Sequence, residues 1–298
     1  MWFLLSLLAL SMLVSRRTAE KHVTARIDSL GLSWLQQAIA IPFIVVTLFF
    51  AKFYWPTELN AQYWGILLIY VVLMSIDIYC YFKALSLADV SYVAPLLSLV
   101  AIGNIFGAFF ILHQVPSTTG IIGAMFIVFG AVLTYRGKHK TSENHKNNRT
   151  ALLLILLLVA VRSIEASLDV LLLRDSNPTS FNFYSSILAI PLLLGVSLLI
   201  MKREKSTKYK NYWSDFRKSV FKHKILLLFI GLTYTVNMLA TYQAKLIGPN
   251  AGYVGAIKNA GVLPMMLIGL FLFKEKIVRI QWYGLAAILV GLVLLATN

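Results

Sequence analysis

Lys258 and Asn259 stand inside GYVGAIKNAGVLPMM, Gly252 to Met266, a stretch otherwise suited to hydrocarbon. No other charge occurs between Gly252 and Phe273, and 22 residues are enough for a bilayer-spanning helix. At about 1.5 Å per residue, Lys258 lies roughly 9 Å in from Gly252, deep for a side chain that must snorkel back to the interface. A charge at the bilayer centre costs about 2.5–3.5 kcal/mol on insertion scales. The ammonium must therefore meet an internal carboxylate or line a hydrated cavity, where it can anchor a substrate carboxylate or phosphate. Gly255 and Gly261 permit close helix approach around it, and Pro264 removes a backbone bond a turn further on.

Two more constellations could do chemistry inside a membrane. Asp77 and Asn237 each sit deep in an apolar segment. Tyr81 lies four residues after Asp77, and Tyr234 and Thr241 flank Asn237 at three and four residues, so each set shares a helix face. Such groups line a pocket that is apolar with a few fixed donors, or they serve as interhelical hydrogen bonds with no ligand. Asp77 is also the candidate to carry a coupling proton. Arg162, Glu165 and Asp169 follow at i, i+3 and i+7, again one face. Arg162 and Glu165 can pair along the helix, which leaves Asp169 for another partner such as Lys258; structure or gating is the expected role. Tyr92 and Tyr253, and Pro95 and Pro264, are candidate gate and hinge positions. Asn104 reads as an interhelical hydrogen bond.

The elements that must hold these residues are helices in a membrane. The 298-residue chain is 59% hydrophobic and 13% charged, with a mean hydropathy of +0.76, whereas a soluble domain is nearer 25% charged. Ten apolar segments are expected, at 2–22, 33–51, 63–85, 90–112, 117–135, 151–173, 180–201, 224–246, 252–273 and 280–297. The first lacks a basic leader and a small-residue cleavage pattern, so it reads as a span and not a removable signal. Cys80 is the single cysteine, so no intramolecular disulfide forms. The loop 202–224 is long and basic and is expected to hold an interfacial helix with Tyr212, Trp213 and Phe216 toward lipid.

The net charge of +15 is a matter of topology and not of nucleic-acid binding. Lys and Arg number four in 16–26, five in 136–149, nine in 202–224 and three in 274–279, against Lys52, Arg174 and Lys245 on the other face. The positive-inside rule puts the rich face in the cytoplasm and both termini outside. No GxxxxGK[ST], HExxH, Cys/His cluster or GxSxG occurs, so neither an ATP drive, a metal centre nor a hydrolase is indicated.

The halves match each other. SYVAPLLSLVAIGNIFGAFFILHQ (91–114) aligns with GYVGAIKNAGVLPMMLIGLFLFKE (252–275) at an offset of 161. The same offset sets Gly123 on Gly284 and Gly130 on Gly291. IDIYCYFKA (76–84) falls on VNMLATYQA (236–244) with one residue of slippage. This divides the chain into a first five-helix repeat, 1–135, a basic linker, 136–150, and a second repeat, 151–298. Five being odd, the copies face opposite ways, an arrangement that secondary transporters use to alternate exposure of a central site.

YVGAIKNAGVLPMMLIGLFLFKEK followed by WYGLAAILVGLVLL resembles the EamA family of the drug/metabolite transporter superfamily, and LDVLLLRDSNPTSFNFYSSILAIPLLL resembles its sixth and seventh helices. His113-Gln114 departs from the Gly-Glu with which that family often ends the fourth helix. The resemblance covers nearly the whole chain. It implies an all-α integral membrane protein of ten transmembrane helices in two inverted repeats, with a basic residue on the ninth helix facing the cavity. The expected function is secondary-active transport of small polar metabolites, most plausibly export of amino acids, with no cofactor beyond a coupling proton. Lys258, Asn259, Asp77, Tyr81, Tyr234, Asn237 and Thr241 are the expected substrate-binding set. The rivals are a carrier of phosphorylated or nucleotide-linked sugars, which calls for more than one intramembrane cation, and a lipid enzyme or non-transporting membrane subunit. The expected partners are the small-molecule substrate and the bilayer, in a bacterial inner membrane, with a homodimer as an open assembly state.

Overall fold

The computed structural model describes residues 1–24, 27, 29–87, 97, 99–136, 145–204, 212–261, 264 and 279–297. Tyr92 and Pro95 lie outside the described residues. The described secondary structure is helical: α1 (Trp2–Thr24), α2 (Ser29–Leu48), α3 (Ala61–Leu87), α4 (Val100–Leu112), α5 (Thr118–Arg136), α6 (His145–Asp175), α7 (Pro178–Glu204), α8 (Tyr212–Lys222), α9 (Lys224–Ile247), α10 (Ala251–Asn259) and α11 (Arg279–Ala296), with one 3₁₀ turn at Pro56–Glu58.

Seven of these helices are long and apolar enough to cross a membrane, and α4 and α5 are shorter apolar helices. Their exteriors carry exposed large hydrophobics such as Phe110, Phe129, Leu199 and Val293, while Asp77, Glu165, Asp169 and Lys245 are buried. Apolar outside and ionisable inside is the distribution that lipid imposes, since backbone and charge must be satisfied within the protein. The chain is an integral multi-pass membrane protein.

Three boundaries differ from the sequence expectation. Helix α1 continues two residues past the expected end, to Thr24, and Arg16 and Arg17, counted with the basic stretch 16–26, lie well inside it, as does Glu20. Helix α6 begins at His145, so the end of the basic linker is helical. The ninth apolar run is not one uninterrupted helix: α10 stops at Asn259 and the chain turns at Ala260–Gly261. Pro264 explains the position, because its ring lacks the N–H that would bond the Ala260 carbonyl and clashes with that carbonyl.

The packing has an internal order. The most extensive interhelix contacts recur when α1–α5 are exchanged with α6, α7, α9, α10 and α11: α3 on α6 answers α9 on α1, α4 on α6 answers α10 on α1, and α3 on α7 answers α9 on α2. The pairs α2–α7, α4–α10 and α5–α11 map onto themselves, and α5–α11 is the most extensive contact of all. Glycine makes that last crossing possible. A Cβ at Gly130 would stand 2.5 Å from the Gly284 carbonyl oxygen, and one at Gly291 would stand 2.5 Å from that of Gly123. Both helices therefore meet backbone to backbone.

Helix α8 lies against α2, with Trp213 and Phe216 centred 6.4 and 5.4 Å from the Trp34 ring. Two of the three aromatics expected to face lipid therefore anchor the helix to the bundle, although Trp213 remains half exposed. On the opposite face, Gln114 joins α4 to α10: its side-chain oxygen accepts from Ala251 N at 3.0 Å, and Asn250 caps the same helix by accepting from Gly252 N.

Candidate functional site

A cavity of ≈ 170 Å³ lies between α1, α2, α3, α4, α6, α9 and α10. Three ion pairs stand along its walls. Where α6 passes its middle, Arg162 donates through Nε to Asp77 Oδ1 at 3.1 Å and through Nη2 to Asp77 Oδ2 at 2.7 Å. About 10 Å further along α6, at 1.5 Å per residue, Asp169 accepts from Lys245 Nζ at 2.7 and 3.0 Å. The same ammonium donates to the Ala166 carbonyl at 3.0 Å, which uses all three of its protons. On α1, Arg16 Nε lies 3.2 Å from Glu20 Oε1.

These pairings differ from the sequence expectation. Arg162 does not pair with Glu165 along its own helix, and Asp169 does not pair with Lys258. The sixth-helix face meets α3 and α9 instead, because α6 packs against both. Lys245, counted from the sequence as a loop charge, is 5% exposed and belongs to the interior. Its own helix runs two residues further, so a charge near an apolar segment's end was mistaken for one beyond it.

What remains unpaired is informative. Lys258, in the last turn of α10, lines the cavity and makes no ion pair among the described residues. Its charged neighbours at longer range are Lys245, Arg16, Arg162 and Asp169. Glu165 also lines the cavity, between the Arg162 and Asp169 turns, and its buried Oε1 has no hydrogen-bond partner. Arg17 lines it too, with its guanidinium 5.9 Å from the centre of the Tyr81 ring and no ion pair among the described residues.

The other expected site residues divide. Tyr81, Tyr234, Asn237 and Thr241 all line the cavity. Tyr234 lies under Arg16, 5.2 Å from guanidinium to ring centre. The Asn237 amide donates to the Ala9 carbonyl of α1, while its Oδ1 is buried with no hydrogen-bond partner. Thr241 turns its hydroxyl back to the Asn237 carbonyl at 2.7 Å. Asn104 lines the cavity and packs against Gly255, where any Cβ would overlap its amide. Tyr253 is elsewhere: its hydroxyl accepts from Ser117 N at 2.7 Å and so holds the residue whose own Oγ caps α5 by accepting from Gly120 N. Asn259 closes α10, and Pro264 stands beyond the turn.

Sequence reasoning missed Arg16, Arg17 and Glu20, and also Tyr70 and Tyr242, whose hydroxyls meet at 3.4 Å in the cavity wall. The Arg16–Glu20 spacing of four was the available signal. It was hidden by the basic run into which α1 continues.

Comparison with known proteins places this geometry. A family model described as "EamA-like transporter family" matches residues 1–136 and 149–297. A solved structure described only as "Crystal structure of protein" superposes with a TM-score of 0.69 at 13% identity, covering 98% of this chain and 95% of that one. At that identity the likeness is one of fold. No curated protein matches this chain.

Proposed function

The chain belongs to the EamA-like transporter family, and we propose that it carries small zwitterionic metabolites of the amino-acid kind through its central cavity by alternating access. One observation carries the substrate class: Lys258 and Glu165 line the same cavity, each lacks an ionic partner among the described residues, and they do not pair with each other. An unpaired ammonium and an unpaired carboxylate across one small space complement a ligand bearing both charges. Buried charges in a bundle are otherwise paired, as the three neighbouring pairs are.

The architecture we assign is ten spans in two five-helix halves of opposite orientation. The exchange pattern of helix contacts and the reciprocal glycine crossing of α5 and α11 support it. The interruption of α10 after Lys258 fits the same reading, because transporters build midplane sites at discontinuous helices. The basic loops are assigned to the cytoplasm. Moving Arg16, Arg17 and Lys245 from loops to the interior leaves that charge bias in place.

A carrier of phosphorylated or nucleotide-linked sugars gains one argument, since five cations line the cavity and not Lys258 alone. Three of them, Arg16, Arg162 and Lys245, are spent on their own carboxylates. The cavity of ≈ 170 Å³ is also well below the roughly 300–1,000 Å³ of drug-sized ligand sites. A nucleotide-linked sugar does not fit it.

The test is a thermal-shift screen of the detergent-solubilised chain against amino acids, sugar phosphates and organic cations, because a ligand that binds the folded state raises its stability. Hits are then followed by counterflow in proteoliposomes. Stabilisation and counterflow by amino acids, lost in Lys258→Met, is the expected result. Stabilisation by sugar phosphates or organic cations alone rejects the assignment. Export, the direction expected from the sequence, is read by comparing right-side-out and inverted vesicles.

A further inference from the structure

We infer that the cavity holds a second anion subsite at Arg17, and hence that the preferred substrate is a zwitterion carrying an additional anionic group, a carboxylate or a phosphate, and is a net anion. The inference rests on the zwitterion reading and extends it. Among the described lining residues there are five cations and four carboxylates. Arg16–Glu20, Arg162–Asp77 and Lys245–Asp169 cancel in pairs. Lys258, Arg17 and Glu165 are left over, two positive groups and one negative. A ligand that neutralises all three has one ammonium and two anionic groups.

Arg17 is not spent elsewhere in the wall. Its guanidinium faces the Tyr81 ring at 5.9 Å, near the outer limit of a cation–π contact and weak as a sole partner for a buried charge. The one carboxylate on its own helix nearby, Glu20, is held by Arg16. The other cations within electrostatic reach, Arg16 and Arg162, repel it and so increase the gain from an anion placed among them. Guanidinium also suits the group: its planar donors match a carboxylate or phosphate in two-point contact. Lys258 and Arg17 lie on different helices, α10 and α1, which pack together. Anions at the two ends of one small molecule can therefore be read separately.

The test compares L-serine with O-phospho-L-serine, and L-glutamine with L-glutamate, as ligands of the purified full chain by titration calorimetry. Each pair differs by the second anion. In the wild type the anionic member is expected to bind on the order of tenfold tighter, the effect of one charged hydrogen-bonded contact. Arg17→Gln is expected to bring the ratio close to one, and Arg17→Lys to keep most of it. Phenylglyoxal labelling of wild-type Arg17, mapped by mass spectrometry, supplies a reading that needs no variant: O-phosphoserine should protect it and serine should not. A wild-type ratio of one, with serine and glutamine still binding, overturns this inference and leaves the zwitterion reading standing. A ratio unchanged in Arg17→Gln, or labelling indifferent to O-phosphoserine, overturns the assignment to Arg17. Failure of all four compounds to bind overturns the zwitterion reading itself.

Discussion

Two lysines lie within reach of one another in this cavity and are held in opposite ways, so replacing each by methionine separates structure from function. Methionine keeps the length and apolar stem of lysine and removes the charge. Lys245 donates to both Asp169 oxygens and to the Ala166 carbonyl, with side-chain exposures of 5% and 7% across the ion pair. Lys245→Met strands the Asp169 carboxylate. Removing one partner of a buried pair costs about 3–5 kcal/mol. At roughly 2–4 °C per kcal/mol, the scale for chains slightly smaller than this one, the midpoint should fall by about 10 °C. Adding Asp169→Asn removes the stranded charge and should recover most of that loss. Lys258→Met breaks no ion pair among the described residues and relieves the cost of holding an ammonium there, so its midpoint should stay level or rise. The assay is apparent unfolding in detergent at fixed lipid and scan rate, beside amino-acid counterflow in proteoliposomes. Lys258→Met should be stable and inactive. If it unfolds as far below the wild type as Lys245→Met does, Lys258 is a structural tie and the anchor argument fails.

Glu165→Gln, more than Asp77→Asn, is expected to abolish uptake and with it any response to an imposed pH gradient, because it removes the carboxylate assigned to the ligand's ammonium. Asp77 must break a two-point bond to Arg162 before it can exchange a proton, and Glu165 need not; gradient-driven uptake that survives in Glu165→Gln and vanishes in Asp77→Asn reverses the assignment. Tyr253→Phe removes the hydroxyl that holds Ser117, and should cost about 0.5–1.5 kcal/mol, as a lost hydrogen bond does, with counterflow retained. A folded variant that no longer transports would restore Tyr253 as a gate. Gly130→Leu must push α5 off α11, because the space is already filled by the Gly284 carbonyl and Ile288. It should lower the midpoint more than Gly65→Leu, where a Cβ meets nothing within 4 Å.

Much of the fold was legible because lipid leaves few choices. Apolar runs of spanning length must be helices, and seven of the expected segments are helices long and apolar enough to cross a membrane, with two more as shorter apolar helices. The polar face of α6 was legible for the same reason: three ionisable groups at one face cannot look outward. Its partners were not legible. Spacing along a helix reports neighbours on that helix, so Arg162 read as a partner for Glu165, whereas the bond to Asp77 spans 85 residues of sequence. The positive-inside count misled in a different way. It treats every charge beyond an apolar core as solvated, and so it absorbed Arg16 and Arg17, which α1 carries another two turns into the protein. Hydropathy also ran straight through Asn259, while backbone chemistry at Pro264 ends the helix.

The pattern of ties across the bundle bears on how such a site can move. Asp77 on α3 reaches Arg162 on α6, and Asn237 on α9 reaches the Ala9 carbonyl on α1. These two seams answer each other when the halves are exchanged, yet they are not equal. The first is a two-point ionic contact, and hydrogen bonds to charged groups contribute about 1.5–3 kcal/mol each. The second has one neutral amide bond, in the range of roughly 0.5–1.5 kcal/mol, beside the Arg16–Tyr234 cation–π contact at 5.2 Å, and Asn237 Oδ1 has no hydrogen-bond partner. The difference between aspartate and asparagine at these related positions thus leaves one seam stiff and the other soft. On the alternating access proposed above, a rocking motion that opens the two seams in turn would meet the smaller polar resistance between α1 and α9. Those are the helices that bring Arg17 and Tyr234 to the cavity, so the proposed ligand contacts there would be made by the wall that yields first.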